Sequence, residues 1–359
     1  MRTAPAAPSP VPAAFPDPGG LDARAVGVMV LLCLTWSLQQ ISLKAVSAQA
    51  SPMLMVALRS GVALLLLAAL MHRRGEVPGR ARLRPGAVVG ALFALEYLLV
   101  AEALRLTHAA HVVVFLYTAP VFAALGLHLR LPAERLGAVA WAGIACAFGG
   151  IALAFLGGGA SGFTGALAGD ALALLAGAAW GATTVAIRCS TLAAAPATET
   201  LLYQLAGACV LLLPAAWLTG QWHFDATPLV WAHLGFQSLV VSFASFLAWC
   251  WLLRRYLASR LGVLSFLTPL FGVALGALLL GEPLRPHFIA GSALVLAGIG
   301  IVAGGPSLAR GLQGAVCAAS MRGGTGCLAS MVRVTAGAAH VRCQQCKRRR
   351  RSGEPVRPA

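Results

Sequence analysis

Ten apolar runs fill most of this chain and leave room for few kinds of fold. They lie at 25–46, 53–71, 86–104, 109–129, 137–156, 168–187, 198–218, 229–253, 260–281 and 286–304. As a helix, each covers about 30 Å, the thickness of the hydrocarbon in a bilayer. Lipid offers a backbone no hydrogen-bond partners, so a spanning segment must be a helix or part of a closed barrel. These runs lack the polar alternation of barrel strands. Charged residues make up 11% of the chain, against about 25% in a soluble domain. The expected fold class is an all-α integral membrane protein with ten transmembrane helices.

The runs come in two sets. Trp36, Gln40 and Lys44 in the first run reappear in spacing as Trp180, Thr184 and Arg188, 144 residues later. Pro120, Glu134, Gly143 and Gly150 reappear as Pro269, Glu282, Gly291 and Gly298, at an offset of 148 or 149. An internally duplicated helical membrane protein is the pattern of a small-molecule carrier. The expected layout is a disordered Ala/Pro-rich extension over 1–24, five-helix repeats at 25–156 and 168–305, a linker at 157–167, and a basic, disordered tail over 306–359.

Charge sets the orientation. With the N-terminus in the cytoplasm, the inner segments before the tail hold 13 basic residues and the outer ones hold only Lys44, Arg105 and Arg285. Both termini are therefore expected to be cytoplasmic. An odd number of spans per repeat turns the second repeat upside down, and inverted repeats give a carrier two access states of similar energy. The net charge of +16 does not imply nucleic acid, because the basic residues flank apolar runs or sit in the tail, facing the lipid bilayer surface. Cys33, Cys146, Cys189, Cys209 and Cys250 lie in or beside spans and read as small apolar residues. Cys343 and Cys346 with His340 make half a zinc site at most, so no metal and no cofactor is expected.

Taken together, Trp36 with Lys44, Pro52 with Arg59, and Pro120 followed by Glu134-Arg135 form one ordered set. Gly169-Asp170 leading to Trp180 and Arg188, then Pro269 and Gly281-Glu282-Pro283, form its second copy. The chain resembles the EamA family of the drug/metabolite transporter (DMT) superfamily over Ala25 to Gly305. The resemblance implies a ten-helix carrier of small metabolites, commonly an exporter of amino acids or related compounds. Glu96, Glu102, His111 and the long tail depart from the common pattern.

Candidate substrate-binding or coupling residues follow from polarity inside the spans. Trp36, Gln40 and Lys44 share one helical face and offer an aromatic wall, an amide and a cation to a central cavity. The alternatives are packing for Trp36 and snorkelling for Lys44. Trp180 and Thr184 are their counterparts. Glu96 lies mid-span, where an ionised acid costs about 3 kcal/mol. It is read either as a proton-coupling or substrate group or as half of a static pair with Arg59, and the two are compatible. Tyr117 and Thr118 precede Pro120, which removes an N–H and loosens the turn before it. Pro120 and Pro269 are candidate hinges. Glu134 and Glu282 are read as caps of the helices that follow them. His108 and His111 are read as interfacial hydrogen-bonding groups. Gly143, Gly150, Gly291 and Gly298 mark close helix packing or a possible homodimer face.

Other functions fare worse. The chain has no Gly-x-x-x-x-Gly-Lys-[Ser/Thr] loop, no second intramembrane Asp to complete a dyad with Asp170, and no Gly-x-Ser-x-Gly elbow. It is not expected to be an enzyme. A secondary carrier with a small-molecule substrate, working by alternating access with possible proton coupling, is the leading reading. A passive channel or a non-transporting membrane protein is the runner-up. Ala-, Gly-, Arg- and Pro-rich usage suggests a GC-rich bacterial genome and hence the inner (plasma) membrane.

Overall fold

The computed structural model describes residues 23–301 apart from 132–135, 157–164, 256–260, 262–263 and 266. The Ala/Pro-rich extension, the tail, Glu134-Arg135 and Arg260 therefore lie outside the described residues, as do the side chains of Cys250, Arg254 and Arg255.

The described residues are mostly helical, and the one isolated bridge among them pairs Ala50 with Phe224. In chain order, α1 is Ala23–Ala45, α2 Pro52–Arg73, α3 Leu83–Leu106, α4 Ala109–Leu116, α5 Ala119–Arg130 and α6 Ala138–Leu156. Then come α7 Gly165–Arg188, α8 Ala197–Leu218, α9 Pro228–Gly235, α10 Phe246–Arg255, α11 Leu267–Leu280 and α12 Pro286–Ile301. A ten-residue π-helix, Phe236–Ser245, joins α9 to α10. Among the described residues, seven helical stretches are long and apolar enough to cross a membrane, with α4 plus α5 counting as one. The stretches at 138–154, 267–280 and 286–301 are apolar but shorter. Within the span suggested over 260–281, Leu261 and Leu264 are helical, Ser265 is a turn, and α11 starts at Leu267.

Local sequence explains the ends. Pro52 and Pro228 sit in the first turns of α2 and α9, where a missing N–H costs nothing. Thr227 Oγ1 accepts from the Val230 N–H at 3.3 Å and caps α9. The fourth apolar run is not one smooth helix. It breaks at Tyr117 and Thr118, and α5 restarts with Pro120 in its first turn. A turn also precedes Pro269, at Ser265, four residues before the proline. The duplication thus preserves a break before each proline.

Packing interleaves the two halves of the chain. Helix α7 lies against α3, α4 and α5, while α1 lies against α11, the π-helix and α10. Helix α8 packs on α2 and α3, and α4 meets α11 between the two groups. The glycine stripes join α6 to α12 within the chain. A Cβ on Gly150 would stand 2.6 Å from the Gly291 carbonyl oxygen, and one on Gly291 would stand 2.7 Å from that of Gly150. Gly143 meets the Gly298 carbonyl oxygen in the same way, at 2.9 Å. This is the close backbone approach that small residues allow. Of the two readings of these glycines, packing is the one seen within the chain.

Candidate functional site

A cluster of buried polar side chains sits where α1, α2, α3 and the π-helix meet. From α1 come Gln39 and Gln40, from α2 Arg59, from α3 Glu96 and Tyr97, and from the π-helix Gln237 and Ser238, all buried. Gln237 is the hub. Its Nε2 donates to the Gln39 carbonyl at 2.8 Å, and its Oε1 accepts from Arg59 Nη1 at 2.6 Å. Gln39 Nε2 in turn donates to the Tyr97 hydroxyl at 3.2 Å. The Arg59 guanidinium lies 4.6 Å from the centre of the Tyr97 ring, a cation–π contact that offsets part of the cost of burying its charge.

Gln237 is the second residue of the π-helix. Its sequence is rich in serine, and Ser245 Oγ donates back to the Val241 carbonyl at 2.5 Å. Such back-bonding distorts a helix. A π-turn also adds a residue to the ladder and rotates the side chains that follow, which is common at functional sites.

The static Arg59–Glu96 ion pair is not what forms. The guanidinium goes to Gln237 and the Tyr97 ring instead, because the π-helix brings an amide oxygen closer to it than the α3 carboxylate comes. Glu96 stays within electrostatic reach of Arg59, yet its Oε2 is buried without a hydrogen bond. Gln40 Oε1, Arg59 Nε and Ser238 Oγ share that condition. A buried polar atom without a partner costs about 1–3 kcal/mol, so each of these atoms calls for an account beyond packing.

The remaining candidates border this region. Tyr117, at the helix break, lies within electrostatic reach of Glu96, Tyr97 and Cys33 and beside Thr268 of α11. Its ring meets Trp180 edge-on at 5.3 Å. Thr118 is less available, since its hydroxyl donates to the Phe115 carbonyl at 2.6 Å. Thr184 donates to its own helix, at the Trp180 carbonyl, 3.2 Å away. Trp36 Nε1 donates to Ser245 Oγ at 3.1 Å, and its ring meets Trp249 edge-on at 5.6 Å. Lys44 departs from the cavity face altogether. Its ammonium donates to the Leu104 and Thr107 carbonyls at the end of α3.

A second polar cluster surrounds that α3–α4 corner. Asp170, buried in α7, accepts from the Thr107 hydroxyl at 2.5 Å and lies 2.9 Å from His111 Nδ1. Phe288 of α12 stacks on the His111 ring at 3.7 Å. Glu282 was expected to cap the helix after it. It caps α4 instead, accepting from the Ala109 and Ala110 N–H groups at 2.6 and 2.9 Å. The reason is geometric: Gly281, at φ +64°, turns the corner so that the carboxylate points across the chain rather than along it. No group of three or more His, Cys, Asp or Glu among the described residues could hold a metal ion.

Sequence reading missed Gln39, Tyr97, Gln237 and Ser238, and placed Asp170 only near a span end. Gln237 was findable in principle as the one amide in the 229–253 run. Nothing local signalled its partners Arg59 and Gln39.

Comparison with known proteins bears on the whole assembly. No curated protein matches the chain. A solved crystal structure aligns with 77% of this chain and 95% of its own, with a TM-score of 0.55 and 22% sequence identity. That likeness concerns the fold alone. The EamA-like transporter family matches twice, over residues 23–156 and 167–304, which together take in both copies of the duplicated pattern. The chain is therefore a multi-pass membrane protein of the EamA-like transporter family, within the drug/metabolite transporter superfamily.

Proposed function

We infer that this protein is a secondary carrier that exports small metabolites, amino acids or related compounds, from the cell across the inner (plasma) membrane. The ten apolar helices cross as two inverted sets of five, with both termini in the cytoplasm, and the α3–α4 corner faces outward. Access alternates as the α1–α11 group moves against the α3–α4–α7 group. The helix breaks before Pro120 and Pro269 act as hinges. Substrate meets Gln40, Arg59 and Glu96, with Trp36, Tyr117 and Trp180 as aromatic walls and Thr118 and Thr184 at the border. Protonation of Glu96 couples the movement to the proton gradient.

One observation carries this reading. Glu96 Oε2, Arg59 Nε and Gln40 Oε1 are buried in a membrane protein's interior with no hydrogen-bond partner. An acid, a cation and an amide left open suit a small polar solute better than they suit packing.

The test is metabolite profiling of culture medium from cells expressing wild type, Glu96→Gln or empty vector, with membrane expression confirmed. Enrichment of a metabolite by wild type, lost with Glu96→Gln or on collapsing the proton gradient, is the expected result. Enrichment that survives both keeps the carrier but removes Glu96 from coupling. No enrichment, followed by no gradient-driven flux in proteoliposomes, removes the export reading.

A further inference from the structure

Charges from elsewhere in the fold hold the corner between α3 and α4 on both sides. Lys44, at the end of α1, donates to the Thr107 carbonyl at 2.9 Å and to the Leu104 carbonyl. These carbonyls close α3 and have no partner inside the helix. Just beyond, Ala109 and Ala110 present the first N–H groups of α4, and Glu282 accepts both, at 2.6 and 2.9 Å. A cation thus meets the negative end of one helix and an acid meets the positive end of the next.

The two charges belong to the same side of the molecule. Lys44 ends α1, Glu282 follows α11, and those helices pack together. The corner they grip belongs to α3 and α4, which pack on α7, and α4 also lies against α11 at the seam of the two groups. The grip therefore joins the two groups. Asp170 differs, because its bonds to Thr107 and His111 stay within the α3–α4–α7 group.

The fold also makes room for the grip. Gly276 in α11 lies under the carboxylate, and a methyl group there would stand 2.6 Å from Glu282 Oε2. His108 Nδ1 is 3.9 Å from Glu282 Oε1 and completes the charged surroundings with Lys44, His111 and Asp170.

We propose that Lys44 and Glu282 form a releasable clasp that closes this end of the transport pathway. The proposal rests on the alternating-access reading above. Charge-assisted hydrogen bonds suit such a clasp. They are strong and directional when made, and water replaces them at small net cost when the corner parts. Lys44 is then a gating residue rather than a substrate ligand, and Glu282 is more than a local cap.

The clasp can be tested without knowing the substrate. Spin labels at Arg105→Cys and Arg285→Cys, in the full chain with its native cysteines replaced, report the separation across the corner in lipid nanodiscs. The parent should show a short distance. Lys44→Gln with Glu282→Gln should shift the equilibrium about tenfold or more toward a longer one. Ala109→Pro attacks the same bond from the other side. It deletes a donor at the first helical position, where proline is tolerated, and His108 before it is already extended. It should widen the distance too. Asp170→Asn, in the neighbouring network, should not. An unchanged distribution in folded clasp variants overturns the proposal, and so does equal widening by Asp170→Asn. If the double variant does not fold, Ala109→Pro decides in the same way. Flux measurements keep the two readings apart. Widening in a protein that moves no solute would retain the clasp and remove the carrier, whereas transport with an unmoved corner would remove only the clasp.

Discussion

The two buried acids Asp170 and Glu96 differ in one respect that matters. Asp170, at the α3–α4 corner, has its carboxylate taken by Thr107 and His111. Glu96, at the centre, has one oxygen with no hydrogen bond at all, as do single polar atoms of Gln40, Arg59 and Ser238. Burial is similar, at 3% and 4% exposure, so desolvation does not separate them. Partnership does. A satisfied buried acid holds elements together, and an unsatisfied one keeps free energy in reserve for whatever binds there.

Mutations can break this comparison. Asp170→Ala leaves a buried hydroxyl and an imidazole without their acceptor, and should cost about 3 kcal/mol. Thermal unfolding in detergent would show it, and a loss below about 1 kcal/mol would erase the distinction. Gly291→Leu, which forces a side chain against the Gly150 carbonyl, should cost about 2 kcal/mol by overpacking α6 on α12. A normal melting temperature there would mean that the two helices do not meet as described. Gln237→Ala should cost about 1–2 kcal/mol, because it strips Arg59 of its oxygen partner while the Tyr97 ring remains. Retained stability with altered transport would make Gln237 a substrate group instead of a hub. Glu96→Gln should change stability least, by less than about 1 kcal/mol, since little is lost when an unbonded oxygen becomes an amide. Transport should nevertheless fall about tenfold or more. A large loss of stability with normal flux would reverse the assignment of the two acids.

Part of the site was legible because its signal is local. A charge or amide inside an apolar run is visible in one dimension, and Arg59, Glu96 and Gln40 were found that way. Proline breaks were visible too, since proline acts on its own turn. Gln237 escaped because its importance comes from Arg59, 178 residues away. Glu282 was recognised as a cap but assigned to the wrong helix. A carboxylate beside a helix start usually serves that helix, and only the turn at Gly281 sends this one to Ala109, 173 residues upstream. Lys44 shares a helical face with Gln40, but its long side chain follows the carbonyls at the end of α3.

The sequence by itself determined that the chain is helical, that it belongs in lipid, and that its pattern occurs twice. Each of these follows from hydropathy, spacing and proline chemistry, which act within a run of about 20 residues. The tertiary structure alone decided which buried groups are paired and which are left open. That choice depends on the rotation of each helix about its axis and on which neighbour it meets. In a membrane interior, hydrophobicity does not discriminate between such arrangements. Close contacts between distant residues do, including glycine against glycine, Arg59 against Gln237, and Glu282 against the start of α4.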